Sequence, residues 1–190
     1  MRKIIFSIPI TLDGFIEGPQ RELDWVIADD DLHNYYASLL KNASVILYGR
    51  VTYELMASYW PAAHNDPSIP KSMLNFANTL NPLPKIVFSN TLQHVGWNPT
   101  VLKAVVPEEI KRLKSQSGGD IMLGGGAALA QTFFQNGLVD EIQLMVQPVV
   151  IGAGKALFSG IDRGIKLKYL RSQSFQSGTV VLCYQPDGKV

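Results

Sequence analysis

Three glycines stand between an apolar run and a helix-forming run in Asp120-Ile121-Met122-Leu123-Gly124-Gly125-Gly126-Ala127-Ala128-Leu129-Ala130. A strand that breaks at such a triplet and becomes a helix at once belongs to folds in which strands feed helices. Without Cβ atoms the turn lets a backbone approach a ligand closely, and the new helix aims free N–H groups and its positive dipole end at one point. That combination is a seat for phosphate. A tight turn that binds nothing has the same sequence and stays open as the alternative.

The rest of the chain repeats the alternation. Apolar strands are expected over 3–10, 44–48, 85–89, 100–106 and 121–123, and helices over 29–40, 51–60, 71–80, 108–116 and 127–136. Pro61 is expected to stop the second helix, and Pro107 to open the fourth. Residues 12–19 read as a loop. After Asp140 the runs 141–150, 166–175 and 179–185 read as strands, with Ser177-Gly178 as a hairpin turn. Alternating strand and helix implies a parallel sheet with right-handed crossovers, and the tail adds antiparallel strands at one edge. No linker or repeat interrupts the pattern, so one α/β domain over residues 1–190 is expected.

Composition narrows the function. Apolar residues make up 46% of the 190 and charged ones 17%, enough for a core. The net charge of +1, without a basic stripe, disfavours nucleic acid as a partner. Cys183 is the single cysteine, which excludes internal disulfides and thiolate metal clusters. His33, His64 and His94 lack ligand spacing, so no metal is expected. The apolar run after Met1-Arg2-Lys3 is too short for a signal peptide, and no run spans a bilayer. A cytoplasmic protein without a membrane partner is the expectation.

Two nucleotide motifs fail. The glycine triplet comes late and position 129 is Leu, so the G-x-G-x-x-G fingerprint is not met. Ile151-Gly152-Ala153-Gly154-Lys155-Ala156 lacks the first glycine of a triphosphate loop (Val149) and its hydroxyl (Ala156). A second junction does stand out. In Tyr48-Gly49-Arg50-Val51-Thr52-Tyr53-Glu54 a strand ends at glycine and a helix begins with a guanidinium and a hydroxyl, both phosphate ligands. Phe88-Ser89-Asn90 ends a third strand. If these strands are parallel, the junctions share the carboxyl edge where open α/β sheets bind ligands.

In this order the motifs resemble the dihydrofolate reductase superfamily: a first strand entering Leu12-Asp13-Gly14, then Gly49-Arg50-x-Thr52-x-Glu54, a strand ending near Ser89, then Gly124-Gly125-Gly126-Ala127. Leu138–Ile142 and Pro148–Gly154 look like the reductase domain of the riboflavin-biosynthesis deaminase-reductase, here expected as a stand-alone reductase because no zinc-binding deaminase motif is present. The resemblance implies a dihydrofolate-reductase-like sheet and NADPH as cofactor. It places Gly124, Gly125, Gly126 and Ala127 at the pyrophosphate, Gly49, Arg50 and Thr52 at the adenine-side phosphates, and Ser89 beside them. It also implies a homodimer acting on a small pterin- or pyrimidine-like molecule. For the catalytic acid, Asp31 matches by position, with Asp29 and Asp30 as rivals and Asp13 as a second candidate; Asp24 and Trp25 are candidates for the substrate side. A non-catalytic NADPH-binding or sensor protein is the alternative.

Overall fold

A computed structural model describes residues 1–93, 96–97, 99–161 and 163–189. His94 lies outside them. Among the described residues, ten strands and five α-helices follow one another as β1 (Ile4–Thr11), β2 (Phe15–Glu17), α1 (Asp30–Lys41), β3 (Ala43–Gly49), α2 (Arg50–Ala57), α3 (Lys71–Leu80), β4 (Lys85–Phe88), β5 (Pro99–Leu102), α4 (Pro107–Ser115), β6 (Asp120–Leu123), α5 (Ala127–Gln135), β7 (Glu141–Gln147), β8 (Lys155–Ala156), β9 (Ile165–Ser174) and β10 (Val180–Lys189). A short 3-10 helix, Trp60–Asn65, lies between α2 and α3.

Eight strands form one sheet in the order β5-β4-β3-β6-β1-β7-β10-β9. The first six are parallel, and β10 and β9 close the edge as an antiparallel hairpin. Period-2 alternation sorts the core into two layers. Ile4, Phe6, Val45, Leu47, Ile121 and Leu123 face α5 and Ile110 of α4. Ile5, Ile46, Tyr48 and Met122 face α1, α3 and Tyr53 of α2. Both faces are covered, as a parallel sheet requires.

Local chemistry explains the differences from the sequence reading. The second helix ends at Ala57, ahead of Pro61, which instead sits in the first turn of the 3-10 helix, where its missing N–H leaves no bond unmade. The strand after Glu141 stops at Gln147 because Pro148 cannot donate to the ladder. The fifth strand is shorter than expected and ends at Leu102.

The loop over 12–19 contains β2, which pairs with β8. The glycine-rich turn of residues 151–155 is therefore a clamp on the first loop. Gly154, at φ 154°, passes so close to β2 that a Cβ would lie 2.3 Å from the Glu17 carbonyl. Lys155 adds an ion pair with Glu17 at 3.2 Å. Among the described residues no helix is long and apolar enough to cross a membrane.

Candidate functional site

The two glycine junctions meet. β3 and β6 are parallel neighbours, so Gly49 and Gly124 leave the sheet on the same edge. The amide of Gly126 donates to the Thr52 hydroxyl at 3.3 Å, tying the start of α5 to the start of α2. Gly49 caps α2 and Gly126 caps α5, and neither helix has a side-chain cap. Two sets of first-turn N–H groups are left for an acceptor from outside.

The glycines divide their roles. A Cβ on Gly124 would lie 2.8 Å from the Tyr48 ring, and one on Gly125 would lie 2.9 Å from the Gly49 nitrogen. These two permit the junctions to pack on each other. A Cβ on Gly126 would meet nothing closer than the Thr52 hydroxyl at 3.6 Å, so this glycine borders the open seat.

Arg50 stands at the outer end, half-exposed and paired with Glu54 at 2.7 Å. Ser89 follows β4 on the same edge, and its hydroxyl accepts from the amides of Thr91 (3.0 Å) and Leu92 (2.9 Å). Its oxygen is thus engaged in its own turn.

From Thr52, Gly124 and Gly126 a cavity of about 510 Å³ runs inward between the sheet edge and α1, α2 and α3. Its wall is mostly apolar. The polar groups on it are Ser7, Glu17, His33, Tyr36, Tyr48, Thr52, Ser58 and Tyr59. The Ser7 hydroxyl is buried beside the Tyr36 phenol. Burial pushes the phenols of Tyr36 and Tyr48 up, so both stay protonated and can donate.

The expected acids are elsewhere. Asp31 is exposed on α1 and lies outside the cavity lining. Asp29 caps α1 by accepting from the Leu32 amide at 2.9 Å, and Asp30 accepts from the Ser72 hydroxyl. The residues of α1 that line the cavity are Leu32, His33, Tyr36 and Leu40. Asp13 is a staple between loops, accepting from the amides of Gly152 (2.8 Å) and Ile151 (3.4 Å). The Thr11 hydroxyl and those amides hold its carboxyl below the ordinary carboxylate range, which makes it a poor acid at neutral pH. On the substrate side, Leu23 and Val26 line the cavity, whereas Asp24 is exposed and Trp25 donates to the Glu22 carbonyl at 3.2 Å.

His33 was visible in the sequence only as a histidine without metal-ligand spacing. It is 9% exposed, and its Nδ1 donates to the Asp29 carbonyl at 2.8 Å. A carbonyl can only accept, so the Nδ1 proton is fixed and Nε2 is the nitrogen that can exchange one.

Residues 2–181 match the model of the RibD C-terminal domain. The chain belongs to that family. It is 38% identical over 187 residues to the uncharacterized protein YyaP of Bacillus subtilis (strain 168), covering 98% of this chain and 96% of that one. Its fold is that of the Thermotoga maritima diaminohydroxyphosphoribosylaminopyrimidine deaminase/5-amino-6-(5-phosphoribosylamino)uracil reductase (TM-score 0.66, 18% identity, 98% of this chain and 57% of that one). It is also that of Enterococcus faecalis dihydrofolate reductase, solved with NADP(H) (TM-score 0.65, 16% identity, 98% and 97% covered). These neighbours give the RibD-family chain a dihydrofolate-reductase-like fold.

Proposed function

We propose that this chain is an NADPH-dependent reductase acting on a small ring compound, of pterin or pyrimidine size, with a reducible C=O or C=N bond. One observation carries the reading: the Gly126 amide and Thr52 hydroxyl join two uncapped helix starts at the mouth of a cavity. The donor set suits the cofactor, because backbone amides and a hydroxyl bind a diphosphate and the Arg50 fork suits an additional ribose phosphate. Gly49, Thr52 and residues 124–127 would hold the diphosphate, with Arg50 outermost and Ser89 flanking.

The reduced nicotinamide, when bound, supplies the hydride. The chain's residues do the remaining work. The clamped loop of residues 12–17 and the apolar wall exclude water, and Tyr36 and Tyr48 offer hydroxyl donors to an acceptor oxygen or nitrogen. His33 donates the balancing proton from Nε2 while the Asp29 carbonyl retains the one on Nδ1. We further propose that the enzyme works in the cytoplasm as a homodimer, paired through the exposed edge of β9.

Calorimetric titration with NADPH and NADH tests the cofactor. Binding tighter for NADPH is expected, and binding of neither refutes the reading. Bound NADPH that is not oxidised by any of a broad set of acceptors would instead identify a sensor.

A further inference from the structure

The cavity changes electrostatic character along its length. At the glycine corner it presents backbone amides. Deeper in, the wall is made by Ile8, Leu23, Val26, Leu32, Met56 and Trp60. No lysine or arginine lines it among the described residues. The single carboxylate on the wall, Glu17, is tied to Lys155. One helix start does border this half, that of α1, but Asp29 caps it and Asp30 and Asp31 sit in its first turn. An anion therefore meets two more negative charges and no free cap. The remaining polar groups on the wall are the His33 imidazole and the hydroxyls of Ser7, Tyr36, Tyr48, Ser58 and Tyr59.

These features bear on the acceptor. A phosphorylated side chain placed here would lose its hydration and meet no lysine or arginine among the described lining residues. A pterin ring that needs a carboxylate partner would find Asp29, Asp30 and Asp31 outside the cavity lining. A flat neutral ring with one or two carbonyls finds apolar faces, an aromatic edge at Trp60 and hydroxyl donors.

We propose that the inner half of this cavity selects a neutral, unphosphorylated, largely apolar ring carbonyl compound, of the quinone or cyclic enone class, as the hydride acceptor. The inference rests on the reductase reading above. A quinone reduced here gains a hydride from NADPH and one proton from His33, and is released as the hydroquinone. NADP⁺ is the other product, and His33 recovers its proton from solvent.

The test compares 1,4-naphthoquinone with 1,4-naphthoquinone-2-sulfonate, the same ring with one added negative charge, and with dihydrofolate. Each is titrated into the full chain without NADPH. Binding is followed by quenching of tryptophan emission, with Trp60→Phe as the reference for signal arising in the cavity. The neutral quinone is expected to bind at least tenfold more tightly than the sulfonate or dihydrofolate. Leu23→Lys adds a cation at a partly exposed position on the wall (39% exposed) and is expected to narrow the quinone-to-sulfonate ratio at least threefold with the melting temperature unchanged. Equal or tighter binding of either anion, or binding of none of the three, overturns the proposal. Because no cofactor is present, a separate failure to bind NADPH counts against the reductase reading alone.

Discussion

Gly125 leaves the space in which Gly49 passes: a Cβ on the first would lie 2.9 Å from the nitrogen of the second and 3.0 Å from Leu129 Cδ2. The obstacle at Gly49 is backbone, which cannot rotate away. Gly125→Ala should therefore push the two helix starts apart, lowering stability by about 1–3 kcal/mol and weakening NADPH together with it. Thr52→Val keeps the side-chain shape and removes the hydroxyl that accepts from Gly126. It should weaken NADPH with little change in melting temperature. Thermal unfolding and calorimetry on both variants check the contrast, which fails if Gly125→Ala melts like the parent protein.

Arg50 and Glu54 form an i,i+4 pair with both side chains at least 40% exposed, an arrangement that contributes about 0.5 kcal/mol or less. The guanidinium's value to the protein is then its fork, not its bridge. Arg50→Ala should leave stability nearly unchanged and lower NADPH affinity at least tenfold more than NADH affinity. Equal losses for the two cofactors would remove Arg50 from the additional phosphate.

The corner around Thr52 and Gly126 is legible in the sequence because each half is a contiguous strand end and helix start, and parallel strands put both on one edge. The order of elements is legible for a related reason, since periods of 2 and 3.6 are local properties. The acceptor half is not local. Ser7, Leu23, His33, Tyr48, Trp60 and Met122 come from separate segments and become neighbours only when the sheet and its helices assemble. Within α1, three adjacent acids give a louder signal than one histidine. Helical geometry nevertheless turns Leu32, Tyr36 and Leu40 to the cavity, four residues apart, with His33 beside them, and leaves Asp31 in solvent. The turn at 151–155 fails as a nucleotide motif in the sequence, but its actual role is not legible there, because Gly154 serves contact with Glu17, more than 100 residues earlier in the chain.

His33 and Asp31 make opposite predictions for catalysis. His33→Gln should lower kcat about 100-fold, within the range of general-acid catalysis, while NADPH affinity holds. Asp31→Asn should stay within about twofold of the parent, as expected for an exposed helix-start acid. Steady-state kinetics with an active acceptor decide it. A collapse in Asp31→Asn with an unchanged kcat in His33→Gln would restore the carboxylate.

Lys85 makes a pH prediction about the fold. Its Nζ is buried, donates to the carbonyls of Leu80 (2.8 Å) and Asn81 (2.7 Å) at the end of α3, and lies 4.0 Å over the Trp97 ring. Burial brings its ammonium down from 10.5 to about 8. Below pH 8 both folded and unfolded chains hold the proton, and the fold bears the desolvation penalty. Between pH 8 and 10.5 the folded chain has released a proton that the unfolded chain still binds, so this group's contribution to stability rises with pH. Cys183 and the buried tyrosines, all raised, act in the other direction above about pH 9. Subtracting Lys85→Met isolates the lysine. The urea midpoint of the parent minus that of the variant should increase from pH 7.5 to 9.5, and a constant difference would show that the ammonium stays charged in the fold.

The hairpin edge yields the last prediction. Among the described residues β9 pairs only with β10, and its residues from Lys166 to Ser174 are all exposed, including Leu167 (40%), Tyr169 (56%) and Leu170 (37%). A ten-residue edge strand with apolar side chains and open backbone groups is a template for pairing unless something covers it. A second copy of β9 supplies the same groups in self-complementary register, as a two-fold interface requires. Light scattering should give twice the 21.0 kDa chain mass for the parent protein and one chain mass for Leu167→Lys/Tyr169→Lys, with NADPH affinity retained because the glycine corner lies on other strands. A parent protein that runs at one chain mass over the micromolar range would show that lysines at 166 and 168 keep this edge open.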